Sequence, residues 1–253
     1  MSKQPEENTL AAPERARRRF LTQVAAVTGA ALAPGMVLFE VSQARALDQP
    51  VSGKVRWGML VDTTKCTRGC DLCVKACDKE NGIHSHGRPE TDSQWIRKIR
   101  LRDLHTGYVQ FLPMLCQHCK YAPCVDVCPV GASFRRADGI VLVNRHICIG
   151  CRYCMMACPY KARSFVSEPL HDQVPWSPRG MGTVEACTFC VHRVDRGHKP
   201  ACVDACAADG PGALVFGDMK DPGSKIAKML AKEQSSEVRA DLKLDTGVRY
   251  HGI

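Results

Sequence analysis

The chain has 253 residues with a net charge of +9 at neutral pH, and it contains 16 cysteines but only 6% aromatic residues. This length allows one large or two small domains. Because aromatic residues are so few, a large apolar core is not expected, and metal or covalent cross-links should add stability. The basic excess lacks an accompanying platform of aromatic and basic residues, so we predict no nucleic-acid partner.

The first 46 residues resemble a twin-arginine signal peptide. Arg17 and Arg18 form the pair, and the apolar run 21–39 follows them. The segment ends in Ala-Arg-Ala, so Ala46 is the expected last residue before cleavage. The family pattern has Ser or Thr before the pair, where this chain has Ala.

A transmembrane anchor of the same length is the alternative interpretation of this segment. Gly29, Pro34 and Gly35 make the run only weakly apolar, which favours a signal. The resemblance implies export of a protein that has already folded around its cofactors, which would protect the cysteines from oxidation. We therefore predict a periplasmic protein that associates with the membrane through its partners, since no apolar span follows residue 46.

The cysteines form four groups of four along the chain. They are Cys66, Cys70, Cys73 and Cys77; Cys116, Cys119, Cys124 and Cys128; Cys148, Cys151, Cys154 and Cys158; and Cys187, Cys190, Cys202 and Cys206. The third group has the spacing C-x2-C-x2-C-x3-C-P, the ligand run of bacterial ferredoxins. In that run three thiolates bind one iron–sulfur cluster and the fourth binds a neighbouring cluster. We therefore predict all sixteen cysteines as iron–sulfur ligands.

Disulfide bonds and zinc sites are the alternatives for so many cysteines. An exported chain with an even cysteine count often carries disulfides, but cysteines separated by two residues do not pair easily with each other. Zinc sites prefer two C-x2-C pairs or mixed Cys and His ligands. The clustered runs favour iron–sulfur clusters over both. Cys66 has the least regular spacing, although Gly69 gives its loop the freedom to absorb an extra residue.

The segments between the cysteine groups predict short strands and little helix. Alternating apolar and polar residues, or short apolar runs, predict strands. These lie at 55–62, 95–102, 108–114, 139–143, 162–165 and, as the last strand, 212–217. Asp221 to Ser224 cap a helix from Lys225 to about Gln234. The basic face of the strand at 95–102 favours a solvated surface; if it is a docking site, we expect an acidic redox partner.

Four histidines lie near the cysteine groups without being predicted ligands. His84 and His86 belong to a polar loop and are expected in solvent. His192 and His198 lie between cysteines of the fourth group, whose cysteines already complete the ligand count, so they are expected near the site or on the surface. Four apolar residues are predicted to pack against the clusters: Ile140, Val143, Ile147 and Ile149.

Several features resemble the four-cluster ferredoxin-like subunits of membrane-linked oxidoreductases. They are the order of the groups, the C-x2-C-x4-C-x3-C second group, the long gap in the fourth group, and the phrases PCVDVCPVGASFRRADGIVLVN and GALVFGDMKDPGSK. This family includes the beta subunits of dimethyl sulfoxide, polysulfide and formate oxidoreductases. With its signal and its C-x3-C start, the chain is most similar to the periplasmic subunits of sulfite-reductase-linked transmembrane complexes. The likeness covers about residues 55–230.

The resemblance implies an α+β fold of two ferredoxin-like modules related by a pseudo-twofold axis, with few long helices. Residues 47–110 together with 184–217 would form module 1, and residues 111–170 would form module 2. Residues 171–183 would be a connecting loop, and residues 218–253 a C-terminal helix and tail.

The resemblance also implies four [4Fe–4S] clusters and the ligands of each. The implied ligand sets are Cys66, Cys70 and Cys73 with Cys206; Cys187, Cys190 and Cys202 with Cys77; Cys116, Cys119 and Cys124 with Cys158; and Cys148, Cys151 and Cys154 with Cys128. The clusters would relay electrons in a line, with potentials tuned by nearby charges at Lys65, Arg68, Arg152, Lys161 and Arg163.

The implied function is electron transfer without a catalytic residue. The expected partners in a hetero-oligomeric complex are an integral quinone-interacting membrane subunit and a multihaem cytochrome or other redox subunit, in dissimilatory sulfur metabolism. The alternative is the beta subunit of a periplasmic molybdopterin oxidoreductase acting on tetrathionate, polysulfide or nitrite. The subunits encoded next to this chain would discriminate between the two.

Overall fold

The computed structural model describes residues 50–171 and 173–253, so the predicted export signal at 1–46 lies outside the described residues. All described residues belong to one compact unit. Within them, no helix combines the length and apolar character needed to cross a bilayer.

The described residues form ten strands and six α-helices. The strands are β1 Trp57–Asp62, β2 Ile96–Arg102, β3 Val109–Leu115, β4 Ser133–Arg135, β5 Val141–Val143, β6 Ser164–Phe165, β7 Val184–Glu185, β8 Leu214–Asp218, β9 Ser235–Ser236 and β10 Val248–His251. The helices are α1 Leu72–Asn81, α2 Pro123–Asp126, α3 Tyr153–Ala157, α4 Val191–Val194, α5 Ala201–Ala208 and α6 Lys225–Lys232. Short 3-10 turns lie at Thr63–Lys65 and Ala240–Leu242. This mixture of short helices and strands is the predicted α+β class.

The largest sheet has the strand order β8-β1-β10-β9. β1 pairs parallel to β10, with Met59 opposite Val248, and antiparallel to β8. Side chains of a strand alternate between its two faces. Met59 therefore enters the main core with the cysteines, whereas Leu60 packs with Ile226 of α6 on the opposite face. The sheet thus separates α6 from the cysteine-containing core.

Three antiparallel hairpins or ribbons accompany this sheet: β2 with β3, β4 with β5, and β6 with β7. The β2–β3 turn is closed by Asp103, whose Oδ1 accepts the N–H groups of His105 and Thr106 at 2.7 and 2.9 Å. In the third ribbon Phe165 lies opposite Val184. This pairing brings the start of the fourth cysteine group next to the end of the third.

The helices pair in a way that relates the two halves of the unit. α1 packs against α5, and α2 packs against α3. The first pair joins the first and fourth cysteine groups, and the second pair joins the second and third. α1 ends at Gly82, whose left-handed φ of 59° terminates the helix. The pairing corresponds to two ferredoxin-like modules.

The six predicted strands are all present, and their observed ends differ from the predicted ends by at most two residues. The predicted helix is α6, and the Ser224 hydroxyl caps it by accepting the Ala227 N–H at 3.1 Å. The expectation that 212–217 holds the last strand is wrong, because β9 and β10 follow. β10 has only four residues, and its pairing with the distant β1 leaves no local pattern to detect.

Candidate iron–sulfur sites

The first candidate site is a small cavity beside α1. Three cysteines of the first group and one of the fourth line it: Cys66, Cys70, Cys73 and Cys206. Lys98 on β2 also lines it, and its Nζ donates to the carbonyl oxygens of Thr67 and Cys70, which closes the loop between the first two cysteines. Ala213 donates its N–H to the Sγ of Cys206 at 3.2 Å.

The second candidate site is fully enclosed. Its four cysteines are all buried and their thiols interact electrostatically: Cys77, Cys187, Cys190 and Cys202. Asn81, one turn after Cys77 on α1, donates its amide to the carbonyl oxygen of Cys77 at 2.9 Å and to the Sγ at 3.6 Å. Phe189, between the first two cysteines of the fourth group, has a left-handed φ of 52° and donates its N–H to the Sγ of Cys187 at 3.4 Å.

The third candidate site is also buried. Its cysteines come from the second group, with the last cysteine of the third group added: Cys116, Cys119, Cys124 and Cys158. His118 lies between the first two of them with a left-handed φ of 44°, which the tight ligand loop imposes. Ala162 donates its N–H to the Sγ of Cys158 at 3.5 Å.

The fourth candidate site is a small cavity lined by the first three cysteines of the third group and the last cysteine of the second: Cys128, Cys148, Cys151 and Cys154. Cys151 is exposed, unlike the other cysteines, all of which lie in the described part of the chain. Val143 and Ile149 line this cavity, as predicted, and Arg152 lies at its edge. Ser133 donates its N–H to the Sγ of Cys128 at 3.4 Å. This site is the one nearest to solvent.

The last cysteine of every group has a hydrogen-bond donor. A backbone N–H serves Cys128, Cys158 and Cys206, whereas Cys77 accepts the side-chain amide of Asn81. N–H donors stabilise the negative charge of a thiolate and of a cluster bound to it. In all four groups, therefore, a nearby N–H donor can stabilise the negative charge of the last thiolate.

Burial raises the pKa of several of the free thiols. It raises the pKa of Cys66 and Cys73 to about 11 and that of Cys116 to about 12. Cys128 differs, because backbone N–H groups led by that of Ser133 outweigh its burial and lower its pKa. Thiols with raised pKa values are protonated at neutral pH, so binding a metal cluster must release protons.

The cavities suit a cluster better than a single ion. Between residues 50 and 253, apart from residue 172, no three Cys, His, Asp or Glu side chains converge as ligands of one metal ion. At two of the sites the four cysteines instead line one shared cavity. A [4Fe–4S] cluster takes four thiolates around a compact inorganic core, so four cysteines facing one cavity fit it.

The four histidines near the cysteine groups in sequence lie in different surroundings. His84 and His86 are exposed and line an open cleft with His171. The Nε2 of His192 lies 2.8 Å from the Glu80 carboxylate. Neither cysteine-lined cavity includes a histidine.

Two residues beside the sites were missed by the sequence analysis. Asn81 carries a detectable signal, because a residue four positions after Cys77 on a helix lies on the same face. Lys98 carries none, because it reaches Thr67 and Cys70 only through the folding of β2 against the first ligand loop. Of the predicted tuning charges, Lys65 forms an ion pair with Asp62 at 2.8 Å, whereas Arg163 lies among the cysteines.

Comparison with known protein families gives two matches. Residues 65–132 and residues 108–219 each match a family described as a 4Fe-4S dicluster domain. Together the two matches cover all four cysteine groups and the hairpins between them.

Individual relatives match over nearly the whole chain. The chain is 41% identical to the Hdr-like menaquinol oxidoreductase iron-sulfur subunit 1 of Archaeoglobus fulgidus, over 92% of this chain and 97% of the relative. It is 38% identical to the tetrathionate reductase B subunit of Salmonella typhimurium, over 93% and 86% of the two chains. It is 37% identical to the protein NrfC of Escherichia coli, over 94% of both chains.

Proposed function

We propose a function from the premise that this chain belongs to the ferredoxin-type beta-subunit family, the iron–sulfur electron-transfer subunits of quinol-linked and molybdopterin oxidoreductases. As a member it carries four [4Fe–4S] clusters and works in a hetero-oligomeric complex. We propose the ligands of each cluster, the redox partners and the compartment.

Each cluster is bound by three cysteines of one group and the last cysteine of another. The proposed sets are Cys66, Cys70, Cys73 and Cys206; Cys77, Cys187, Cys190 and Cys202; Cys116, Cys119, Cys124 and Cys158; and Cys128, Cys148, Cys151 and Cys154. The observation that carries this proposal is the exchange of last cysteines. Cys206 lines a cavity with the first group, and Cys128 lines a cavity with the third.

The clusters would supply one-electron carriers, and these cysteines would hold them so that electrons pass through the chain from one redox partner to the other. No substrate bond is made or broken on this chain, so no residue is proposed as catalytic. The protein positions the thiolates, buries the second and third sites and places hydrogen-bond donors beside the sulfurs, and these factors set each potential.

The proposed partners are a quinone-reactive membrane subunit on one side and a multihaem cytochrome or another redox subunit on the other. The Archaeoglobus relative is a menaquinol oxidoreductase subunit by name, which supports the first partner. We place the complex in dissimilatory sulfur metabolism, on the likeness to subunits of sulfite-reductase-linked complexes.

A second candidate is the beta subunit of a periplasmic molybdopterin oxidoreductase, which the similarity to the tetrathionate reductase relative favours. Purification of the native complex separates the two. A large molybdopterin-containing subunit purified with this chain supports the second candidate, whereas a multihaem cytochrome without molybdenum supports the first.

The ligand sets are tested by iron and acid-labile sulfide analysis of the anaerobically purified chain, which should contain about 16 of each. Cys77→Ala and Cys202→Ala should each remove about four irons, and the double variant should lose no more than either alone. Cys77→Ala combined with Cys73→Ala should lose about eight. Additive losses for Cys77 and Cys202 would contradict the proposed sets.

The proposed compartment is the periplasm, reached by the twin-arginine route. Arg17 and Arg18 support it, together with the apolar run that follows them. Replacing both arginines with Lys should retain the folded, cluster-loaded protein in the cytoplasm, as measured by cell fractionation. Lys3→Arg is the matched control, and its export should be normal.

A further inference from the structure

Arg163 occupies an unusual position for a charged residue. It lies in the segment between Cys158 and β6, and only 6% of its surface is exposed. No Asp or Glu in the described ranges forms an ion pair with it; its electrostatic neighbours are Cys124, Cys116 and Cys154. A buried cation without a counter-charge is strongly unfavourable, so the folded protein must supply negative charge at this point.

The guanidinium contacts two cysteines of different ligand sets. It lies within hydrogen-bonding reach of the sulfur of Cys124, in the third site, and of the sulfur of Cys154, in the fourth. Its Nη2 donates to the Ser133 hydroxyl at 2.8 Å, which fixes the plane of the group. Arg163 therefore lies between two neighbouring sites.

Two donors of this guanidinium remain available. Nε and Nη1 are buried and have no well-aligned hydrogen-bond acceptor among the described atoms. A buried N–H group without an acceptor is rare in folded proteins. Thiolate and sulfide are acceptors, and both are negatively charged when a cluster is bound. The unmatched donors thus indicate that the missing acceptors belong to the clusters.

We propose that Arg163 is a hydrogen-bond donor shared by the third and fourth clusters and that it raises both reduction potentials together. The inference rests on the ligand sets proposed above. A fixed positive charge stabilises the reduced, more negative form of each cluster. Because Arg163 lies between the two sites, one side chain raises the potentials of both clusters relative to the first and second clusters.

The other half of the unit has a neutral counterpart. Asn81 donates to the sulfur of Cys77 and lies beside that of Cys190, and both cysteines belong to the second site. The Ser177 hydroxyl donates to its Oδ1 at 3.0 Å, which orients the amide. Asn81 thus serves one site without charge, whereas Arg163 serves two sites with charge. This difference makes Asn81 the matched control.

The test is a redox titration of the anaerobic, cluster-loaded chain followed by electron paramagnetic resonance. In Arg163→Met, two of the four one-electron steps should move to lower potential. Each should lose at least a factor of ten in its reduction equilibrium, which corresponds to about 59 mV. Asn81→Leu should move one step only. Arg163→Lys keeps the positive charge but loses the planar guanidinium with its several N–H donors. Its potentials should therefore lie between those of the wild type and those of Arg163→Met.

The outcomes separate this inference from the proposed ligand sets. If the wild-type chain shows four one-electron steps and Arg163→Met moves none or one of them, the shared donor is wrong while the sets stand. If Arg163→Met does not retain its clusters, Arg163→Lys decides: wild-type potentials at both steps would overturn the inference. Additive iron losses in Cys77→Ala and Cys202→Ala would instead overturn the sets.

Discussion

The rings of His118 and Phe189 stack with their centroids 3.7 Å apart and an angle of 29° between their planes. Each residue directly precedes the second cysteine of its group, and both have left-handed backbone angles. The Val141 N–H donates to the Nδ1 of His118 at 3.0 Å, which fixes the ring. The stack therefore joins equivalent ligand loops of the second and fourth groups, and so links the two halves of the unit.

Replacing Phe189 with Ala should weaken this link. Phe189 is fully buried and also packs edge-on against Phe216 at 5.3 Å. Truncation of a buried Phe costs roughly 3–5 kcal/mol, and a domain of this size loses about 2–4 °C per kcal/mol. The midpoint for thermal loss of cluster absorbance, at a fixed scan rate, should fall by roughly 6–20 °C. Phe134→Ala is the control, because Phe134 is 37% exposed; an equal fall in that variant would contradict the role of the stack.

The ligand loops could be predicted from sequence because cluster geometry imposes a local spacing of cysteines. The short strands could be predicted for a similar reason, since the alternation of apolar and polar residues is visible within a few residues. Capping of α6 by Ser224 also depends on neighbouring residues alone. Each of these features is decided within one short segment.

Other features depend on distant segments and could not be predicted in this way. The pairing of Met59 with Val248 joins opposite ends of the described chain. Lys98 reaches the first ligand loop only after β2 has folded. The left-handed angles at His118 and Phe189 oppose the intrinsic preference of these residues, so the closed ligand loops, not local propensity, account for them.

Gly150 should be essential to the fourth site. It has a φ of 69°, and a Cβ at this position would lie 2.3 Å from the carbonyl oxygen of Gly182. Because that oxygen belongs to the backbone, Gly150→Ala must displace the loop between Cys148 and Cys151. We expect the variant to lose about four of its irons per chain, measured by iron analysis.

Gly69 provides the matched control for this experiment. It occupies the equivalent loop between Cys66 and Cys70, where a Cβ would meet no atom within 4 Å. Gly69→Ala should therefore retain full iron content. Full iron in Gly150→Ala, or equal loss in both variants, would show that the close approach to Gly182 does not limit cluster binding.

The buried ion pair of Arg179 and Glu185 should stabilise the entry to the fourth cysteine group. Its two hydrogen bonds measure 2.6 and 3.0 Å, and Arg179 also donates to the carbonyl oxygen of Gly82 at 2.9 Å. Removing one partner of a buried pair costs roughly 3–5 kcal/mol, because the other charge remains buried. Arg179→Met should lower the thermal midpoint accordingly.

The double variant Arg179→Met with Glu185→Met tests this reason for the loss. If the stranded carboxylate causes it, the double variant should be more stable than Arg179→Met alone. Arg239→Met breaks an exposed pair with Asp241 and should leave the midpoint nearly unchanged. A double variant less stable than the single one would indicate that packing, rather than charge, explains the effect.

Lys98 should hold the first cluster in place. Its Nζ donates to the carbonyl oxygens of Thr67 and Cys70, so Lys98→Met should open the loop that carries Cys66 and Cys70. A loss of about 1.4 kcal/mol from the barrier to cluster release corresponds to a tenfold faster release. In anaerobic incubation with an iron chelator, about a quarter of the iron should leave at least about tenfold faster than in the wild type, and the remainder at the wild-type rate. Arg100→Met, on the same strand but exposed, should release iron like the wild type. Faster release of all the iron, or of none, would contradict a role confined to the first site.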